Sequence, residues 1–300
     1  MKILLAENVG FCFGVQNAFD KIVEIAKNTD EPVRTLGPLI HNPQTIELLK
    51  RVYNVGYVDN PAEIHDGTVV IRAHGVPPSV IEQLESAGVK VVNATCPYVI
   101  KTQRYASRLH ADGRFVVIIG DPKHPEVIAI LGFAAGEGAV VKKIDEIENL
   151  PDDREIGVVI QSTFIPEVAQ KIIDALKDKF PTAIVYDTIC QVTQNRQAEA
   201  KIIAKKCDFV LVIGGNNSAN TEKLRQLAEL EGAKKALKIE TFEDIDLSLL
   251  EKVEKLGVLA GASTPDWLIV DIVSKIKQKF PGSKVEKHKF RQEQSAEEFR

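Results

Sequence analysis

Phe115-Val116-Val117-Ile118-Ile119-Gly120 is an unbroken apolar run closed by a glycine, with no polar alternation along it. A strand that needs no polar face is covered on both sides, which is the situation of a parallel strand flanked by helices. Ninety-four residues further on the run repeats as Phe209-Val210-Leu211-Val212-Ile213-Gly214, and Cys96 and Cys190, each 24 residues before the closing glycine, are also 94 apart. The frame recurs a third time toward the N-terminus, where Cys12 stands 25 residues before Gly37. Other apolar runs at 2–6, 33–36, 69–71, 89–92, 157–160 and 257–259 alternate with helical patterns. The chain therefore reads as α/β, with mostly parallel sheets and crossover helices, a class that places its ligands at strand C-terminal ends.

The loops that follow the strands repeat as well. Four residues past each closing glycine stands a polar side chain: His41, His124 and Ser218. A second loop type recurs as Arg72-Ala73-His74-Gly75-Val76-Pro77, Gln161-Ser162-Thr163-Phe164-Ile165-Pro166 and Gly261-Ala262-Ser263-Thr264-Pro265. Self-similarity at a fixed period is the mark of a repeated structural unit. Three α/β modules are expected, 14–96, 97–190 and 191–281, the last taking in residues 1–13. They are expected to be arranged with pseudo-threefold symmetry so that the three cysteines meet at the centre. Residues 282–300 are charged and apolar-poor and read as a C-terminal tail.

Composition narrows the function classes. Of 300 residues, 44% are hydrophobic and 27% charged, which excludes a disordered or fibrous chain. Lys and Arg total 38 against 42 acids, so there is no electrostatic case for a nucleic-acid partner, and a net charge of −4 selects no redox partner. The longest uncharged apolar stretch, 127–136, is far short of the roughly 20 residues that a membrane helix needs, so no membrane association is expected. An acid at Glu7 interrupts the N-terminal run before a signal-peptide core can form, and the expected compartment is the cytosol.

In a reducing compartment, four widely spaced cysteines argue for thiol or metal chemistry rather than disulfides. Pro97 makes Cys96 a helix N-cap, and Cys12 and Cys190 also open helical stretches. A helix N-terminus favours the thiolate, and three thiolates at one repeated position suit a soft metal, either zinc or an iron–sulfur cluster. A 4Fe-4S cluster with three protein ligands keeps one iron open. Cys207 lies outside the register and reads as core packing. His41, His74 and His124 fall in strand-end loops and, with Ser218, Asn220, Ser263 and helix N-termini, form a donor set suited to a phosphate or diphosphate. His65, His110 and His288 sit in polar stretches and are expected to be solvated. Glu126, in a first helical turn, is a candidate acid beside an open iron.

Taken together, Gly10-Phe11-Cys12-Phe13-Gly14-Val15, Arg72-Ala73-His74-Gly75, Ala94-Thr95-Cys96-Pro97, Lys123-His124-Pro125-Glu126, Cys190 with Asn195-Arg196-Gln197, Asn217-Ser218-Ala219-Asn220 and Ala260-Gly261-Ala262-Ser263 resemble the 4-hydroxy-3-methylbut-2-enyl diphosphate reductase family over residues 1 to 280. The resemblance implies the last step of the non-mevalonate isoprenoid pathway, reductive removal of an allylic hydroxyl to give isopentenyl and dimethylallyl diphosphate. It implies a 4Fe-4S cluster on Cys12, Cys96 and Cys190, with the open iron taking the substrate hydroxyl. It also implies diphosphate contacts from His41, His74, Ser218, Asn220 and Ser263, with His124 lining the site, proton delivery by Glu126, and a ferredoxin or flavodoxin as electron donor. Two positions depart from the family pattern. Ser162 stands in Gln161-Ser162-Thr163 where a threonine is usual, and it is expected to serve beside Thr163 in the substrate site. Ala219 stands where a serine is frequent, leaving its backbone N–H as donor. Two other readings use the same residues. A 4Fe-4S hydro-lyase acting on a phosphorylated hydroxy substrate would consume no electrons, and a non-catalytic iron–sulfur or phosphate-ligand sensor would have no use for Glu126.

Overall fold

A computed structural model describes residues 1–290. β1 (Lys2–Leu5) leads toward Cys12, after which come α1 (Phe13–Lys27), β2 (Val33–Leu36), α2 (Pro43–Tyr53), β3 (Gly56–Val58), β4 (Thr68–Ile71), α3 (Pro78–Ser86) and β5 (Lys90–Asn93). A second round follows Cys96, with α4 (Pro97–Ala111), β6 (Phe115–Ile119), α5 (Pro125–Gly132), β7 (Gly138–Val141), β8 (Ile156–Ile160), α6 (Pro166–Lys179) and β9 (Ile184–Val185). The third follows Cys190, with α7 (Gln191–Lys206), β10 (Phe209–Ile213), α8 (Ala219–Leu230), β11 (Lys235–Ile239), β12 (Lys255–Ala260), α9 (Asp266–Lys279) and β13 (Lys284–Lys287).

These strands form three sheets, ordered β3-β2-β4-β5, β7-β6-β8-β9 and β11-β10-β12-β1-β13. Neighbouring strands pair in parallel in each of them. The order is the same three times over, with β1 standing in the third sheet where β5 and β9 stand in the others. Two compact units result, one of Phe13–Cys190 holding the first two sheets, the other of Met1–Cys12 with the chain from Gln191 onward holding the third. Both changeovers fall at a cysteine.

The apolar runs are two-sided strands, as their lack of alternation requires. On β6, Val117 and Ile119 face Ile172 and Leu176 of α6, whereas Val116 and Ile118 face Ala106 and Leu109 of α4 and Ile130 of α5. On β10, Leu211 and Ile213 pack with Ile269, Ile272 and Ile276 of α9, while Val210 and Val212 pack with Ile203 of α7 and Leu224 of α8. Each such side chain contributes about 1.5–3 kcal/mol on burial, so the central strands hold the loops at their C-terminal ends on a stiff base.

Of the stretch read as a tail, residues 284–287 form β13 along the free edge of β1, and residues 291–300 lie outside the described residues. His288 departs from expectation. Its side chain is only 10% exposed, and its Nδ1 is 2.9 Å from Glu199 Oε1 on α7. Pairing of β13 with β1 carries this histidine over the sheet, a consequence of strand addition that local polarity does not reveal. Among the described residues, no helix is long and apolar enough to cross a membrane.

Candidate active site

The repeated loops are repeated in their hydrogen bonding. The N–H groups of Gly37, Gly120 and Gly214 donate to Val58, Val141 and Ile239 carbonyls at 2.8, 3.0 and 2.9 Å, tying each closing glycine to the end of the neighbouring strand. The second loops each open with a tight turn, in which the N–H of Gly75, Phe164 and Thr264 donates to the carbonyl of Arg72, Gln161 and Gly261 at 2.9, 2.9 and 3.1 Å. The next carbonyl in each of these loops accepts from a cysteine. Cys96 N–H donates to Ala73 O at 3.0 Å, Cys190 N–H to Ser162 O at 2.9 Å, and Cys12 N–H to Ala262 O at 3.0 Å. Cys96 and Cys190 belong to one unit and Cys12 to the other.

All three of these thiols are half-buried. Cys96 is the N-cap of α4 but makes no capping hydrogen bond with its side chain, and Cys12 and Cys190 immediately precede α1 and α7. The start of α1 is cleared for the Cys96 thiol: a Cβ on Gly14 would lie 3.0 Å from Cys96 Cβ and closer still to Sγ. Half-buried thiols at helix starts, one in a space that a methyl group would fill, are donors of the kind that an iron–sulfur cluster takes. Cys207 is different, being buried against Ile203 and Val210, with its thiol pushed up to about 11 by burial and then by Asp208.

In the Phe13–Cys190 unit, the three loop histidines come together. Ring centroids are 4.8 Å apart for His41 and His74, 5.4 Å for His74 and His124, and 6.3 Å for His41 and His124. One nitrogen from each ring lies within 4.8 Å of the other two. Burial holds His74 well below its ordinary range, and the charges of His41, His124 and Arg72 add to this; burial and then Arg72 lower His41. Both shifts favour the neutral imidazole at His41 and His74. His41 Nε2 and His74 Nδ1 are buried without a hydrogen-bond partner, as is Arg72 Nε. Buried polar atoms are rarely left so, and a bound anion is the kind of partner that such donors take.

His124 also caps α5, its Nδ1 accepting from Glu126 N–H at 3.2 Å. That cap places Glu126, only 1% exposed, against the second loop. Ser162 binds it twice, through N–H to Oε1 at 2.6 Å and through Oγ to Oε2 at 2.7 Å. A carboxyl held at both oxygens has a fixed plane, which a directional proton transfer needs. Gln161, fully buried, links the two loops: its Oε1 accepts from Asp121 N–H at 3.0 Å and its Nε2 donates to Thr163 Oγ1 at 2.9 Å. Sequence reasoning passed over Gln161 and Arg72, although both open a copy of the repeated second loop.

In the other unit, Ser218 caps α8, its Oγ accepting from Thr221 N–H at 3.3 Å. Asn220, the second residue of α8, is 6% exposed, and neither its Oδ1 nor its Nδ2 has a partner. Thr221 Oγ1 is likewise buried and unpartnered. Ser263 is half-buried in the loop between β12 and α9. Neither unit by itself contains the whole predicted set. One carries the histidines, Glu126, Ser162 and Thr163, while the other carries Ser218, Asn220 and Ser263.

Comparison with known proteins finds matches over most of the chain. A family model described as LytB protein matches residues 3–277. A 4-hydroxy-3-methylbut-2-enyl diphosphate reductase of Geobacter sulfurreducens is 40% identical over 278 residues, covering 93% of this chain and 98% of that protein. One of Citrifermentans bemidjiense is 41% identical over 277 residues, covering 92% and 97%. Among solved structures, the E-1-hydroxy-2-methyl-but-2-enyl-4-diphosphate reductase of Plasmodium falciparum matches with a TM-score of 0.90 at 25% identity, over 97% of this chain and 93% of that one. A structure described as the terminal enzyme of the non-mevalonate pathway matches with a TM-score of 0.69 at 36% identity, over 93% and 100%.

Proposed function

Because this chain belongs to the LytB protein family, we propose that it reduces (E)-4-hydroxy-3-methylbut-2-enyl diphosphate to isopentenyl and dimethylallyl diphosphate in the cytosol. The observation that carries the reading beyond family membership is the bond made three times from a cysteine N–H to the same position of a repeated loop. It supports Cys12, Cys96 and Cys190 as equivalent ligands of a 4Fe-4S cluster with one open iron. Bound there, the cluster would relay electrons one at a time from the donor and would supply a Lewis-acidic iron for the substrate hydroxyl.

The chain's own residues do the rest. His41, His74 and His124, with Arg72 beside them, accept the diphosphate, and the lowered His41 and His74 take up protons as its charge arrives. Ser218, Asn220 and Ser263 supply further hydrogen bonds to it. Binding energy at the diphosphate, remote from the reacting carbon, holds the hydroxyl for reaction. Glu126, oriented by Ser162, delivers a proton to the departing oxygen, which turns a poor leaving group into water. The net change consumes two electrons and two protons per substrate and releases one water. A ferredoxin or flavodoxin is the proposed source of the electrons.

The test is a Mössbauer spectrum of chain reconstituted anaerobically with iron-57, with and without the substrate. One iron of a 4Fe-4S cluster is expected to change its signal on addition. Absence of such a cluster, or a cluster indifferent to this substrate, would sink the reading. Glu126→Gln is expected to lower turnover at least about 10²-fold while inorganic diphosphate still inhibits.

A further inference from the structure

The three cysteines reach their positions on linkers of different length. Two residues separate β5 from Cys96, four separate β9 from Cys190, and six, Ala6 to Phe11, separate β1 from Cys12. The shorter linkers are held by their own polar side chains, with Asn93 Oδ1 accepting from Thr95 N–H at 2.9 Å, and Thr188 Oγ1 bonded to both the N–H and the carbonyl of Ile160. The Cys12 linker is the longest, and its side-chain bonds from Asn8 and Glu7 run to distant parts of the chain, to Glu199 and to Phe290 N–H. Its six residues, Ala6-Glu7-Asn8-Val9-Gly10-Phe11, form neither strand nor helix, and loop closure costs more entropy as the loop lengthens.

Backbone bonds hold its two ends, Ala6 N–H to Val258 O at 2.9 Å and Cys12 N–H to Ala262 O at 3.0 Å, and α7 grips the stretch between them. Arg196, 4% exposed, donates from Nη2 to Gly10 O at 2.8 Å and from Nη1 to Ala260 O at 3.0 Å, joining the linker to the end of β12. One turn further along, Glu199, 1% exposed, accepts from Glu7 N–H at 2.7 Å, Asn8 N–H at 2.9 Å and Asn8 Nδ2 at 2.8 Å. The linker's carbonyl is thus gripped by a cation and its N–H groups by an anion, both buried and both on one helix face. Hydrogen bonds to charged groups are the stronger kind, and a buried charge left without its partners is expensive. His288 and β13 close over the anion from the outer side: His288 Nδ1 lies 2.9 Å from Glu199 Oε1, and Phe290 N–H donates to Glu7 Oε2 at 2.6 Å.

We infer that Arg196 and Glu199 are positioning residues that hold the Cys12 linker in the one conformation in which its thiol serves as a ligand, an inference that rests on Cys12 being a ligand as proposed above. Asn195-Arg196-Gln197, a motif with no role in the chemistry of the substrate, thereby acquires one. Neither residue touches the reacting atoms. Their contribution is to fix the ligand on the longest linker.

The test is read without a cluster. Full-length, reduced, metal-free chain is treated with iodoacetamide, and alkylation of each of the four cysteines is followed separately by peptide mass spectrometry. In Arg196→Met and Glu199→Gln, Cys12 is expected to react about tenfold faster than in the parent, the scale of losing hydrogen bonds to a charged partner. Cys96, Cys190 and Cys207 are expected to keep their parent rates. Arg196→Lys, which retains the charge, is expected to fall between parent and Arg196→Met. Equal acceleration of all four cysteines would mean that the substitutions merely loosen the fold, and would overturn the inference, as would an unchanged Cys12. If a buried-charge variant does not fold, Asn8→Ala removes one side-chain bond to Glu199 and should still accelerate Cys12 alone; failure to do so also overturns it. A parent chain that takes up no cluster would instead count against the proposed function and leave this comparison standing.

Discussion

Replacing Gly14 with alanine sets the fold and the cluster pocket against each other. Gly14 is the second residue of α1, and alanine in a helix is favoured over glycine by up to about 1 kcal/mol. The added methyl, however, would stand 3.0 Å from Cys96 Cβ and nearer to Sγ, where carbon atoms ordinarily stand about 3.5–4.0 Å apart. The Cys96 side chain must therefore yield by about 0.5–1 Å. Overpacking of this kind costs about 1–3 kcal/mol, so the two effects leave a net loss of about 0–2 kcal/mol. For a chain of this size that lowers the unfolding midpoint by no more than about 8 °C. The displaced thiol has larger consequences, since misplacing a group by about 1 Å costs on the order of 10²-fold in rate. Iron and sulfide per chain after anaerobic reconstitution, turnover with a viologen reductant, and melting of the metal-free chain by circular dichroism give the three readouts. A variant that melts a few degrees lower, takes up less iron and turns over about 10²-fold more slowly is expected. Parent iron content together with more than half the parent turnover would refute the reasoning.

Ser162→Ala removes the Oγ bond to Glu126 but keeps the backbone N–H bond. It should lower kcat about 10- to 100-fold with KM little changed, and Ser162→Thr should restore activity; equal kcat in Ser162→Ala and parent would show that the second bond orients nothing. The histidine cluster predicts a pH effect on the stability of the metal-free chain. Burial first, and then neighbouring charges, hold His74 and His41 below 6.5, so the unfolded chain takes up protons near that pH that the folded chain does not. The stability they allow is present above pH 6.5 and is lost as pH falls through it. Melting midpoints measured from pH 7.5 to 5 should drop less steeply in His74→Asn, and an unchanged slope would contradict the assignment.

How much of this was legible depended on where a strand sits in its sheet. The runs at 115–119 and 209–213 read correctly because both faces of β6 and β10 are covered and every residue, or nearly every one, is apolar. β3, β7, β9, β11 and β13 left no such trace, and each is an edge strand among the described residues, although β5, also at an edge, was legible from its apolar run at 89–92. Tyr57 on β3 and all four side chains of β13 face outward, so a pattern built on burial passes over them. At the site, the spacing of cysteines, glycines and loops picked out His41, His74 and His124, and the first helical turn with the family resemblance picked out Glu126; the fold gathers all four in one unit. Gln161, Arg72, Arg196 and Glu199 were given no role. Their work is done through hydrogen bonds and charge across loops distant in sequence, as when Glu199 reaches Glu7, and no local pattern encodes such a partner.

The order of synthesis gives β1 a particular history. Its register partners are Lys255 to Val258 on β12 and Lys284 to Lys287 on β13, so β1 leaves the ribosome roughly 250 residues ahead of the strands between which it lies. At about 5–20 residues per second that is a wait on the order of 10–50 s. Throughout it, Phe13–Cys190 can complete two sheets from contiguous chain, while β1 remains a strand with both edges bare, a hazard that its length of four residues keeps small. Cys12 hangs from that strand. The placement of Cys12, the ligand proposed above, thus waits until β12 and β13 have closed on either side of β1.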